Sequence, residues 1–168
     1  MATELYDLTI PVFLRGFDAL SNLLEKARAH ADGCNIPHER LLEARLYEDM
    51  GPLTSQVQRA SDAAKFTAVR LGQIDNVVMP DEEKSFDELQ ARIARTVEFL
   101  RSVDPAAING REDADVELKT AKKSFAFKGR AYALEFALPN FYFHLTTAYA
   151  ILRMKGVPVG KMDYLGGL

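Results

Sequence analysis

Residues 136–152 read FALPNFYFHLTTAYAIL, 17 positions without a charge, bracketed by Glu135 and Arg153. That length is at the lower limit for a bilayer-spanning helix. The run also carries Pro139, Asn140, His144, Thr146 and Thr147, which are costly in hydrocarbon. A fully buried central helix of a soluble bundle is therefore the better reading, and no membrane partner is expected. The helix is predicted from about Arg130 to Lys155, with Gly156 as its stop. Pro139 has no N–H, so it frees the carbonyl of Glu135 and bends the helix. At about 100° per residue, Glu135, Arg153 and Thr146 share the solvent side, whereas Asn140 and His144 stack four residues apart on the opposite, inward side.

Working outward, three more long helices emerge. The first is predicted from about Glu4 to Ala31, on apolar residues at three- and four-residue steps from Leu5 to Ala31. Pro11 within it should kink the helix or mark its true start, and Gly33 should end it. Pro37 opens a short helix through Leu42. Gly51-Pro52 breaks the chain before a second long helix with the stripe Leu53, Val57, Ala60, Ala64, Ala68 and Leu71. A connection over Gly72–Lys84 follows. Ser85 and Glu88 form a capping-box match for the third helix, whose stripe runs from Phe86 to Leu100, with Asp104-Pro105 ending it. Between the third and fourth helices the period changes to two: Val116–Lys119 and Phe125–Lys128 read as a hairpin joined by Thr120–Ser124. A tail with Pro158, Gly160, Gly166 and Gly167 closes the chain. The fold class is all-α: a four-helix bundle with a small β-hairpin between the third and fourth long helices, one domain over residues 1–168.

The whole-chain figures agree. At 168 residues the chain is close to one domain, and 48% hydrophobic with 27% charged residues is ordinary globular composition. Net charge is −3 and no Lys/Arg cluster stands out, so no nucleic-acid partner is expected. The single Cys34 cannot form an intrachain bridge and reads as a spare thiol in a reducing compartment. Glu4 and Asp7 break any leader pattern, so the expected location is cytoplasmic.

The candidate site is the inward face of the fourth helix. On the second helix Gln56 lies about 75° from the apolar stripe and is its best inward polar residue, while Gln58 and Asp62 point away. Asp49, just before the Gly51-Pro52 break, could reach the mouth of the bundle. His30 and His38 lie on or beside loops. His144, Asn140 and Gln56 therefore line an internal polar pocket, with Asp49 at its edge. His144 is the one group there able to exchange a proton near neutral pH. That pocket either fixes helix register through satisfied hydrogen bonds or binds a small-molecule ligand. The aromatic residues Phe136, Phe141, Tyr142, Phe143 and Tyr149 spread around the helix, more apolar surface than three neighbours cover, so a homodimer is expected.

Several stretches resemble a known family. Leu138–His144, Thr146–Tyr149, Ile151–Arg153, Gly156–Pro158, Gly160-Lys161 and Asp163–Gly166 resemble the C-terminal signature of a bacterial domain-of-unknown-function family grouped with the DinB-like and YfiT-like four-helix bundles. Asp49-Met50, Pro52-Leu53, Gln56–Gln58, Asp62, Ala64-Lys65 and Phe86–Ala94 extend the resemblance along essentially the whole chain. It implies an up-down-down-up bundle, often dimeric. It also implies a divalent metal such as zinc or nickel on three histidines, serving thiol transfer or hydrolysis in some members. His144 is similar to the last of those histidines, Asn140 stands where its i−4 partner would be, and Gln56 matches the second-helix position. Two of the three ligands are thus neutral amides, which bind transition metals poorly beside imidazole. The expectation is therefore a bundle protein without a cofactor, whether or not an enzyme; the alternative is a metal-dependent transferase or hydrolase using His144 and a degenerate triad.

Overall fold

The structure is a computed structural model describing residues 3–120 and 123–166. Ala121 and Lys122, in the expected hairpin turn, and Gly167 of the tail lie outside the described residues.

Helix α1 runs Ile10–Gly33, α2 Glu39–Leu42, α3 Leu53–Gly72, α4 Phe86–Arg101 and α5 Pro105–Ile108. Strands β1 (Asp115–Lys119) and β2 (Ser124–Lys128) pair antiparallel. The chain then enters α6 (Gly129–Ala131), a π-helical segment over Tyr132–Ala137, α7 (Leu138–Met154) and α8 (Lys161–Leu165). Pro11 marks the true start of α1: it has no N–H to offer a preceding turn, and Leu5–Thr9 form a separate turn whose Thr9 hydroxyl donates to the Leu5 carbonyl. Asp104 does not merely end α4. Its carboxylate accepts from Ala106 N–H at 2.9 Å and caps the one-turn α5. Ser85 caps α4 as expected, accepting from Glu88 N–H, while the Glu88 carboxylate reaches one residue further back, to Lys84 N–H.

Helix α1 packs on α4 and α7, and α3 packs on the same two, so the ring order is α1–α4–α3–α7 with α1 and α3 diagonal. The apolar stripes all turn into this ring. Ala60, Ala64 and Ala68 of α3 are fully buried, and their small side chains let neighbouring helices come close. At the centre Phe141 meets Phe13 and Phe17 edge-on, at 5.0 and 5.2 Å between centroids. Its ring fills the notch at Gly16, where a Cβ would lie 2.4 Å from the ring.

Helix α7 is not buried all round. Phe141, His144, Leu145, Ala148, Ile151 and Leu152 face inward, but Tyr142, Phe143 and Thr146 are exposed. Among the described residues no helix is long and apolar enough to cross a membrane. The part of the C-terminal signature that follows α7 serves as a strap. Val157 and Val159 are buried, Arg153 donates to the Val159 carbonyl, and Asp163 accepts from Gly160 N–H while pairing with Lys26 of α1.

Candidate functional site

His144 sits on α7 and Gln56 on α3, and both are buried, at 7% and 1% exposure. The imidazole Nδ1 lies 2.8 Å from Gln56 Oε1. Gln56 Nε2 donates to the Gly51 carbonyl, also at 2.8 Å. A carbonyl only accepts, so the amide nitrogen must face Gly51 and the amide oxygen must face the imidazole. Nδ1 therefore carries the proton and donates. Nε2 keeps its lone pair, with no hydrogen-bond partner among the described residues. Burial, and next the positive Arg59, push the imidazole pKa down to about 4. His144 is thus a neutral imidazole at neutral pH, an acceptor on one nitrogen and a pinned donor on the other.

A cavity of about 200 Å³ opens between α3 and the last long helix, lined by His144 and Asn140. Its α3 wall is Arg59, Asp62, Ala63, Phe66 and Arg70, one stripe at helical spacing. Opposite stand Tyr132 and Phe136 from the π-helical segment, with Leu118 of β1 at one end. The wide turn is closed by Leu138 N–H bonding to Ala133 O, five residues back, immediately before Pro139. Such π turns recur at functional sites. Here the segment bears the Tyr132 and Phe136 rings, stacked at 5.7 Å, with Phe127 of β2 against both.

Of the residues expected at the site, the structure therefore joins Gln56 to His144, although Gln56 itself does not line this cavity, and sets Asn140 beside His144 on the cavity wall. Asp49 is exposed in the loop before α3 and does not line this cavity. Reasoning on the sequence missed Arg59, Phe66, Arg70 and Tyr132. The 59/63/66/70 spacing is a stripe at helical period, but it mixes two arginines with Ala63 and Phe66 and so carries no single signal. Gln58 was expected to point outward and is instead buried, donating to Glu83. The loop after α3 folds back over it. Arg92 of α4 anchors that loop, contacting Asp62, Asp81, Glu83 and the Pro80 carbonyl.

A larger open cleft of about 690 Å³ lies beside Glu39, Arg45, Tyr47 and Lys155. It contains none of the buried polar groups that give the smaller cavity its chemistry. The residues around His144 do not fit a divalent metal. Gln56 Oε1 is occupied by the Nδ1 proton and its nitrogen by Gly51, which leaves one imidazole nitrogen, the Asn140 amide and Asp62, whose carboxylate already pairs with Lys65 and Arg92. Among the described residues no three His, Cys, Asp or Glu side chains converge.

Four helices in this ring order, with a hairpin before the last and its histidine turned onto α3, define the class: a DinB-like four-helix bundle. The chain belongs to the family of domains of unknown function DUF1993, which matches residues 5–165. It is similar to the crystal structure of a DinB family member protein from Shewanella denitrificans, at 36% sequence identity and a TM-score of 0.89. That match covers 98% of this chain and 93% of the other. No curated protein matches the chain.

Proposed function

We propose that the cavity beside His144 binds a small organic ligand, with neutral Nε2 accepting a hydrogen bond from it. The observation that carries this reading is the relay Gly51–Gln56–His144, which fixes the tautomer and leaves Nε2 an acceptor on a residue that lines the cavity. Phe66, Phe136 and Leu118 supply apolar walls, and Asn140 a second polar group, the usual make-up of a small-molecule site. The test uses phenol and toluene, which share a shape but differ in one donor. Phenol is expected to shift the His144 imidazole nitrogen resonances in NMR and toluene to leave them. Equal shifts from the two, or none from either, overturn the reading.

We further propose that the protein is cytoplasmic, where exposed Cys34 stays reduced, and that it is a homodimer. Phe143 and Met154, three turns apart on α7, are 56% and 50% exposed, and a second copy would cover them. A strictly monomeric mass in light scattering at micromolar concentration overturns the dimer.

A further inference from the structure

Two guanidinium groups line the His144 cavity, and neither has a carboxylate partner among the described residues. Arg70 donates to the Tyr132 hydroxyl at 2.9 Å and lies over the Phe66 and Tyr132 rings. Arg59 makes no ion pair among the described residues and stands close enough to His144 to act on its charge. The one acid on the wall, Asp62, is committed elsewhere: its carboxylate meets Lys65 at 3.1 Å and Arg92 at 3.2 Å. The imidazole is neutral and Asn140 carries no charge. In a chain whose net charge is −3, this cavity is thus a local positive site.

Arg59 also stands beside the turn at Gly51. Its Nη1 would lie 3.2 Å from a Cβ at Gly51, and the Gln56 amide nitrogen 3.4 Å from the same point. The missing side chain at Gly51 lets the guanidinium settle over the turn that anchors the Gln56–His144 relay. Arg59 thus neighbours the relay behind the cavity, and Arg59 and His144 share the cavity wall.

We propose that this cavity selects small organic anions, a carboxylate or similar group resting on Arg59 while a hydroxyl of the same molecule donates to His144 Nε2. The inference rests on the ligand-binding reading above and adds the charge of the ligand to it. Arg59 is exposed, so the attraction acts through solvent and weakens as salt is added.

Three probes of one shape separate the two claims: 4-hydroxybenzoate, 4-hydroxybenzamide and 4-hydroxybenzylamine. Each offers the same phenolic donor, and only the para group changes charge. Binding is followed on the His144 imidazole resonances. The benzoate should bind at least threefold tighter than the amide and the amine weakest, with the advantage shrinking as salt is added. Arg59→Gln, on an exposed position, should remove the benzoate's advantage over the amide measured on the same variant; Arg59→Lys should restore part of the difference. Amide and benzoate binding alike, or an advantage that survives Arg59→Gln, overturns the anion proposal and leaves the ligand site standing. None of the three probes moving His144 overturns the site itself.

Discussion

At the scale of single residues, the Gln56–His144 pair is where sequence and structure meet most closely. Wheel geometry brought both side chains inward from different helices, and they lie in hydrogen-bonding contact. The sequence could not reveal that Gly51 completes the relay, because that depends on how the turn before α3 presents its carbonyl. Gln58 shows the opposite limit. It faces away from the apolar stripe, yet Glu83 arrives from a distant loop to cover it, and helical phase alone says nothing about a loop's path. The pH dependence of stability follows from His144. Its folded pKa of about 4 lies below its unfolded value, 6.5. Above pH 6.5 the imidazole is neutral in both states and has no effect on the balance. Between 6.5 and 4 the unfolded chain takes up a proton that the folded one refuses, so stability falls as pH falls, by at most roughly 3 kcal/mol. Thermal unfolding of the wild type and His144→Gln from pH 8 to 4 should show the wild type losing ground only below about 6.5. A difference between the two that stays constant across that range would mean the imidazole is not held neutral.

At the scale of elements, helices read from apolar periodicity sit close to their expected positions, because burial of one stripe decides them. Connections fared less well. Helices α5 and α8 are single turns fixed by a side-chain cap or by packing, and neither is long enough to show a period. The last long helix was legible in extent but not in its wide turn. Pro139 signalled a disturbance, and the disturbance falls one turn earlier, at Tyr132–Ala137, where one residue too many is taken up before the proline. The junction from hairpin to π segment is the tightest point in this region. Gly129 N–H donates to the Ala114 carbonyl and Arg130 N–H to the Glu112 carbonyl, both at 2.9 Å. A Cβ at Gly129 would lie 2.0 Å from the Arg111 carbonyl oxygen, which is backbone and cannot swing aside. Gly129→Ala should therefore destabilise the fold by about 3 kcal/mol or more, at the upper end of overpacking costs. It should also loosen the hairpin first, seen as faster amide exchange at Val116 and Leu118 than in α3. A stability loss under 1 kcal/mol in denaturant titration would contradict this close approach.

At the scale of the whole molecule, two regions of sequence that looked alike in importance turn out to do different work. The Asn140–His144 part of the fourth helix faces the cavity, whereas the segment from Gly156 to Gly166 runs along α1 and α7, where Lys26, Arg15 and Tyr149 receive it. The ring order explains the division: α7 has α3 on one flank and α1 on the other, so one helix serves the cavity and the strap on separate sides. The C-terminal signature therefore covers two structural roles, the cavity wall in its first part and the closing strap in its second. This separation has a consequence that can be measured. Val157 and Val159 are the buried anchors of the strap, at 0% and 1% exposure. Val157→Ala with Val159→Ala removes two pairs of methyl groups from the core, at a combined cost of roughly 2–4 kcal/mol. For a chain of this size that corresponds to a melting temperature lower by roughly 4–16 °C. Below that temperature the phenol-induced shift at His144 should keep its wild-type midpoint, because the strap packs on the flank away from α3. Loss of the phenol response in a variant still folded by circular dichroism would show that strap and cavity are coupled through α7.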